Sequence, residues 1–182
     1  MKKLVKTTLM LITVLLLASC NSKRSEYDPY KYEMKGGKKK QEVSNNVFEI
    51  DFKQTDSNLK TIHVNLNGKN SYDAIFDTGC SGILISPMEA LDMMKQGTLR
   101  DSDERPPIPV QMADGSIVQK RVFNLREVTI MDKNGKPHTL KDIAAILEPN
   151  MEAAILVGSS VIDNLAKKSY TVDLRKKVIR FE

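Results

Sequence analysis

The sequence predicts a mostly β domain interrupted by one or two short helices, and three patterns predict it. Apolar residues alternate with polar ones at Phe48, Ile50 and Phe52 and again at Ile62, Val64 and Leu66. That is the period of strands with one buried face. Hairpin-type dipeptides, Asn67-Gly68, Asp114-Gly115 and Asn134-Gly135, punctuate the chain. Helical signals are confined to two short stretches, one opening at Ser86 and one at Ser160.

The β pattern begins only near residue 46. Before it, Lys2, Lys3 and Lys6 precede a short apolar run from Leu9 to Ala18. A bilayer-spanning helix takes about twenty apolar residues, so this run reads as a signal peptide over residues 1–19. Leu17-Ala18-Ser19-Cys20 resembles the bacterial lipobox, which makes Cys20 the expected lipidated N-terminus of the mature chain. An ordinary signal peptide, or an N-terminal anchor helix, is the alternative. Residues 20–44 hold Gly36-Gly37 and Lys38-Lys39-Lys40 without apolar periodicity. They read as a flexible tether, whose Lys run either is simply solvated or touches anionic headgroups. The expected location is the bacterial cell envelope, on a periplasmic or surface face, with the membrane reached through the anchor at Cys20.

Within residues 45–182 the elements follow in order. A strand through Phe48–Phe52 comes first, and Ile62–Leu66 then turns at Asn67-Gly68 into a strand through Tyr72, Ala74 and Phe76. Ile83–Ile85 is a short apolar strand. Ser86-Pro87-Met88-Glu89 is a capping box with Pro at the first helical position, and Gly97 is its stop. Leu91, Met93 and Met94 of that helix read as packing residues. The charged, Pro-rich stretch Thr98–Pro109 is either a loop over a cleft or a disordered insertion. Hairpins follow at Asp114-Gly115 and Asn134-Gly135. A helix over roughly 160–167, with Asp163 three residues after Ser160, precedes a closing hairpin of Tyr170–Leu174 and Lys177–Phe181.

One constellation carries chemistry. Ala74-Ile75-Phe76-Asp77-Thr78-Gly79-Cys80-Ser81-Gly82-Ile83-Leu84-Ile85 places a carboxylate between two apolar strands. An unpaired carboxylate costs several kcal/mol to bury, roughly speaking, so a strand that aims one inward needs a reason. A surface turn in which Asp77 caps its own backbone is the plain structural reading.

This segment resembles the active-site loop of the aspartic peptidases, and the chain is similar to their single-domain, retroviral-type branch. Two further features carry the resemblance: Ile155-Leu156-Val157-Gly158 followed by a short helix, and Met112-Ala113-Asp114-Gly115-Ser116 between the two. The resemblance implies a retropepsin-like closed β-barrel or β-sandwich over 45–182. It implies Asp77 as the catalytic acid, with Thr78, Gly79, Cys80 and Ser81 as the supporting loop. Ala113, Asp114 and Gly115 would form a flap over a polypeptide substrate. Such hydrolysis uses two carboxylates sharing one proton and needs no cofactor. The chain has one Asp-Ser/Thr-Gly, so the second Asp77 must come from a homodimer partner. Thr78 would then hydrogen-bond across the two-fold axis. Cys80 stands where relatives carry Ala or Ser, and reads as small core filling, not a nucleophile. The alternative function is a non-catalytic, peptide- or protein-binding lipoprotein on the same fold.

Other chemistries are excluded by what the sequence lacks. Gly158-Ser159-Ser160-Val161-Ile162 ends in Ile, so it is not a nucleophile elbow. A calcium loop starting at Asp132 would need Glu at its twelfth position, which is Ile143. Two Cys and two His, spread along the chain, supply no metal-ligand cluster and no Cys–His enzyme. The net charge of +5 suggests a nucleic-acid partner only until it is located. Three lysines leave with the signal peptide and seven basic residues against four acidic ones lie in 20–44, which leaves 18 basic and 19 acidic side chains in 45–182. The folded part is nearly neutral, and no nucleic-acid partner is expected.

Overall fold

A ring of strand pairings, built from the alternating segments, positions every residue discussed below. The computed structural model describes residues 47–182. The expected signal peptide (1–19), the lipidation site Cys20 and the tether (20–44) lie outside the described residues. The strands are β1 (Phe48–Asp51), β2 (Lys53–Gln54), β3 (Lys60–Leu66), β4 (Asn70–Phe76) and β5 (Ile83–Ile85), followed by helix α1 (Pro87–Lys95). A 3-10 turn at Asp101–Asp103 leads to β6 (Glu104–Gln111), β7 (Ile117–Met131), β8 (Pro137–Leu147) and β9 (Leu156–Val157). Helix α2 (Ser159–Leu165), β10 (Tyr170–Asp173) and β11 (Val178–Phe181) complete the domain.

The larger sheet has the order β2-β3-β4-β9-β5-β8-β7-β6, and a further pairing of β7 with β3, Asn65 opposite Thr129 and Leu66 opposite Val128, brings its ends round. Alternation fills the interior: Ile62, Val64 and Leu66 of β3 are buried, as are Leu125, Val128 and Ile130 of β7. Each such side chain contributes about 1.5–3 kcal/mol when removed from water. The hairpins arise where the turn dipeptides stand. Asn67 and Gly68 both take positive φ, 54° and 80°, as do Gly115 at 84° and Gly135 at 76°.

A second, three-stranded sheet has the order β1-β11-β10. The first predicted strand therefore divides. Phe48 and Ile50 pack in the terminal sheet, opposite Phe181 and Ile179, whereas Lys53 and Gln54 pair with β3 in the larger one. Phe52 is the buried residue at the crossing, and its N–H donates to the carbonyl of Lys177 at 3.0 Å. The closing hairpin is as expected, except that its strands end at Asp173 and restart at Val178. The carboxylate of Asp173 accepts the N–H groups of Arg175 and Lys176, both at 2.9 Å, which takes Leu174 out of the strand.

Helix α1 has the expected start and stop. Ser86 accepts the N–H of Met88, and Glu89 accepts the N–H of Ser86 at 2.8 Å. At the other end the N–H groups of Gly97 and Thr98 donate to the carbonyls of Met94 and Met93, with Gly97 at φ 69°. Met93 is fully buried and Met94 packs on the core, but Leu91 faces solvent, contrary to expectation. Helix α2 also differs: Gly158 is its N-cap residue, and no side chain caps it.

Thr98–Pro109 is neither a loop nor an insertion for most of its length. Thr98 and Leu99 are buried, and from Glu104 the chain runs as β6 along β7. Its prolines hid this strand. They are tolerated because β6 pairs on one side only, and because the register slips between Arg105 and Ile108, where Pro106 and Pro107 stand.

Candidate active site

Asp77 follows directly on the last residue of β4. Its backbone is held from below: the N–H of Asp77 donates to the carbonyl of Val157 at 3.0 Å, and β4 runs parallel to β9 there. The chain then turns tightly, with the N–H of Cys80 donating to the carbonyl of Asp77 at 3.2 Å. The N–H of Gly79 donates to Asp77 Oδ1 at 2.9 Å. That bond fixes one carboxylate oxygen, and Oδ2 makes no hydrogen bond among the described residues. The side chain is half-buried, less enclosed than a strand leading inward suggests.

The loop is hung on the segment that opens α2. The N–H groups of Gly158, Ser159 and Ser160 donate in succession to the carbonyls of Gly82, Cys80 and Ser81, at 3.0, 2.8 and 2.8 Å. Only glycine permits this approach at position 158. A β-carbon there would lie 2.2 Å from the Cys80 carbonyl oxygen and 2.5 Å from that of Gly82. Ser159 Oγ adds a 3.4 Å bond to the carbonyl of Thr78. Sequence reasoning found Gly158 but missed the two serines, because they act largely through backbone N–H groups that any residue carries.

The remaining loop residues fall into two groups. Thr78 and Gly79 are exposed, while Cys80 and Ser81 are half-buried. Burial pushes the Cys80 thiol up from its ordinary range, and the nearby Asp77 carboxylate acts in the same direction. Its Sγ donates to the Gly82 carbonyl at 3.3 Å. A thiol held protonated and turned to the backbone is a packing group and a poor nucleophile.

The expected flap is a hairpin whose tip is bonded within itself. Gly115 N–H donates to the carbonyl of Met112 at 2.9 Å, and Asp114 Oδ1 accepts the N–H and the hydroxyl of Ser116 at 2.9 and 2.6 Å. Ala113, Asp114 and Gly115 are all exposed, and their hydrogen bonds stay within the hairpin. Among the described residues no cluster of three or more His, Cys, Asp or Glu is placed to hold a metal ion.

A β ring whose Asp-Thr-Gly loop rests on a two-apolar-plus-Gly segment is the architecture of single-domain aspartic peptidases. The same fold occurs in the crystal structure of a retropepsin-like aspartic protease from Rickettsia conorii. That structure superposes with a TM-score of 0.50 at 18% identity, covering 75% of this chain and 92% of that one. The aspartyl protease family model matches residues 62–161, more than half of the sequence and all of the Asp77 loop and its support. The chain belongs to the aspartyl protease family. No curated protein matches it.

Proposed function

We propose that the protein is an aspartic endopeptidase that works as a homodimer on polypeptide substrates, held by a lipid on Cys20 at a membrane of the bacterial envelope. One observation carries the reading. Asp77 stands at a strand end with one carboxylate oxygen fixed by Gly79 and the other without a hydrogen bond among the described residues, in a loop whose backbone is held at four points by residues 157–160.

One chain supplies half of the chemistry. A second Asp77 across a two-fold axis completes the pair. Two carboxylates that close share a single proton, because both cannot ionise together, and the pair titrates in two macroscopic steps. The ionised member takes a proton from water, and the protonated member polarises the scissile carbonyl and later protonates the leaving nitrogen. Thr78, exposed in one chain, is the residue that would reach across the axis. The flap hairpin would cover the substrate and exclude water.

The test is cleavage of an unfolded protein by the full chain and by its Asp77→Asn variant, with pepstatin as a second probe, across acidic to neutral pH. Loss of cleavage in a folded variant supports the dyad. Equal cleavage by both chains refutes it, and substrate binding without turnover by either would make this a binding protein on a peptidase fold.

A further inference from the structure

The strand β7 has two regimes. From Val122 to Met131 it is paired with β8, and Glu104 and Arg105 of β6 face Phe123 and Val122 on its other side. From Ile117 to Lys120 it pairs with β6 alone, so the distal hairpin is a two-stranded arm. The division falls at Arg121, directly opposite the register slip at Pro106-Pro107. Residues 111–119 are exposed, and Lys120 is the first residue of the returning strand that is not.

Below the division side chains clamp β7 to β6 and to the turn before it: Arg121 holds Glu104 through two bonds at 2.7 and 2.9 Å, and Arg126 pairs with Asp103 at 3.2 Å. At the base of the arm there is one ionic tie to the rest of the domain among the described residues. Lys120 Nζ meets Glu148 Oε2 at 2.8 Å, with side chains only 11% and 26% exposed. Glu148 follows the end of β8, and its own N–H donates to the carbonyl of Ile85 at 2.9 Å. Ile85 closes β5, the strand that leaves the Asp77 loop. A continuous chain of bonds therefore joins the arm to the strand behind the catalytic loop.

We propose that the Lys120–Glu148 pair is the latch of the flap, positioning the arm relative to the end of β8 and the neighbouring β5 so that closure over substrate starts from a fixed stance. This rests on the peptidase reading for its consequence, though not for its geometry. The pair is shielded enough that removing one partner leaves a partly buried charge uncompensated, so its loss is felt locally and strongly. Lys120 and Glu148 are positioning residues and touch no reacting atom.

The experiment compares the full chain with Lys120→Met, Lys120→Arg and the charge-exchanged double variant Lys120→Glu/Glu148→Lys. Hydrogen exchange is followed at the amides of Ile108, Val110, Gln111 and 117–120, with those of β3 and β4 as internal reference. In Lys120→Met the arm amides should exchange on the order of tenfold faster while the reference amides keep their rates. Lys120→Arg and the double variant should return the arm towards wild-type protection. Kinetically, Lys120→Met should raise KM about fivefold with kcat little changed, the sign of lost substrate enclosure. Unchanged arm exchange overturns the proposal, as does an acceleration spread equally over β3 and β4, or a fall in kcat at constant KM. Exchange needs no turnover, so a wild-type chain without cleavage would refute the peptidase reading alone and leave the latch to be judged on exchange.

Discussion

The carbonyl oxygen of Cys80 occupies the space that a β-carbon on Gly158 would need: the two would stand 2.2 Å apart. The loop bearing Asp77 and the segment opening α2 are thus in direct backbone contact. Gly158→Ala must push one of them away, and neither is a flexible side chain. Overpacking of this kind costs about 3 kcal/mol, which lowers Tm by about 10 °C in a domain of this size. Thermal unfolding checks the first effect and cleavage the second, since the displaced loop carries the carboxylate proposed to act in catalysis. A variant with wild-type Tm would show that the two segments separate freely.

Thr78 is exposed in a single chain, and its hydroxyl makes no hydrogen bond among the described residues. Thr78→Ala should therefore leave the unfolding free energy of the subunit within about 0.5 kcal/mol. If the hydroxyl bonds across the dimer axis, dissociation becomes easier by about tenfold, and specific activity falls on dilution. Sedimentation at several concentrations reads the dimer directly, and an unchanged dissociation constant would remove Thr78 from the axis.

Asn67 ties the β3–β4 turn to two other elements. Its Nδ2 donates to the carbonyl of Thr98 at 2.9 Å, and its Oδ1 accepts the N–H of Arg126 at 2.8 Å. Asn67→Ala takes the Asn67 partner from the Arg126 N–H, leaves the buried Thr98 carbonyl to the Arg126 guanidinium alone, and puts Ala at a φ of 54°. The expected loss is about 2–3 kcal/mol in chemical unfolding. Asn67→Gly should recover only the backbone part of that loss.

The tip of the β7–β8 hairpin contains a buried acid–base pair. His138 Nε2 meets Asp132 Oδ2 at 3.1 Å, and the imidazole stacks on Phe48 at 3.6 Å between ring centres. The His138 bond, then the N–H groups of Lys136 and Asn134, hold the Asp132 carboxyl below its ordinary range. A lowered folded value means that the native chain binds fewer protons than the unfolded one around pH 4. The stabilisation is complete above about pH 4 and is lost as pH falls through the folded value. Asp132→Asn should be less stable than wild type at neutral pH, with the gap narrowing in acid. Urea unfolding from neutral to strongly acidic pH measures it, and a constant gap would refute the assignment.

Signals that were local in the chain were legible in it. Asn67-Gly68, the Ser86–Glu89 box, the Asp77 loop and the Gly158 element each declare themselves within a few residues, and the structure has each of these elements where expected. The pairing of β1 with β11 joins residues more than a hundred positions apart, and nothing near Phe52 announces that the chain changes sheets there. Pro106, Pro107 and Pro109 disguised β6, since proline reads as a breaker until it is known that the strand has a neighbour on one side only. Leu91 reads as a packing residue from its type and faces solvent. Asp77 and Gly79 stand out in the sequence through the Asp-Thr-Gly pattern, and the structure joins them in one tight turn. Ser159 and Ser160 do not stand out, because backbone donors leave no side-chain signature. Lys120 and Glu148, 28 residues apart, meet only once the sheet is built.

Those same prolines bear on how the molecule behaves in a crowd. A hairpin arm bare on both faces is the shape from which chains add to one another strand by strand into fibres. Here the outermost strand of the larger sheet lacks N–H groups at three of its eight positions, so an incoming chain finds a broken row of donors. At the sheet's opposite end β2 offers only Lys53 and Gln54, too short and too charged to template growth. The protein can therefore keep a long arm extended in water without its edges becoming seeds for aggregation.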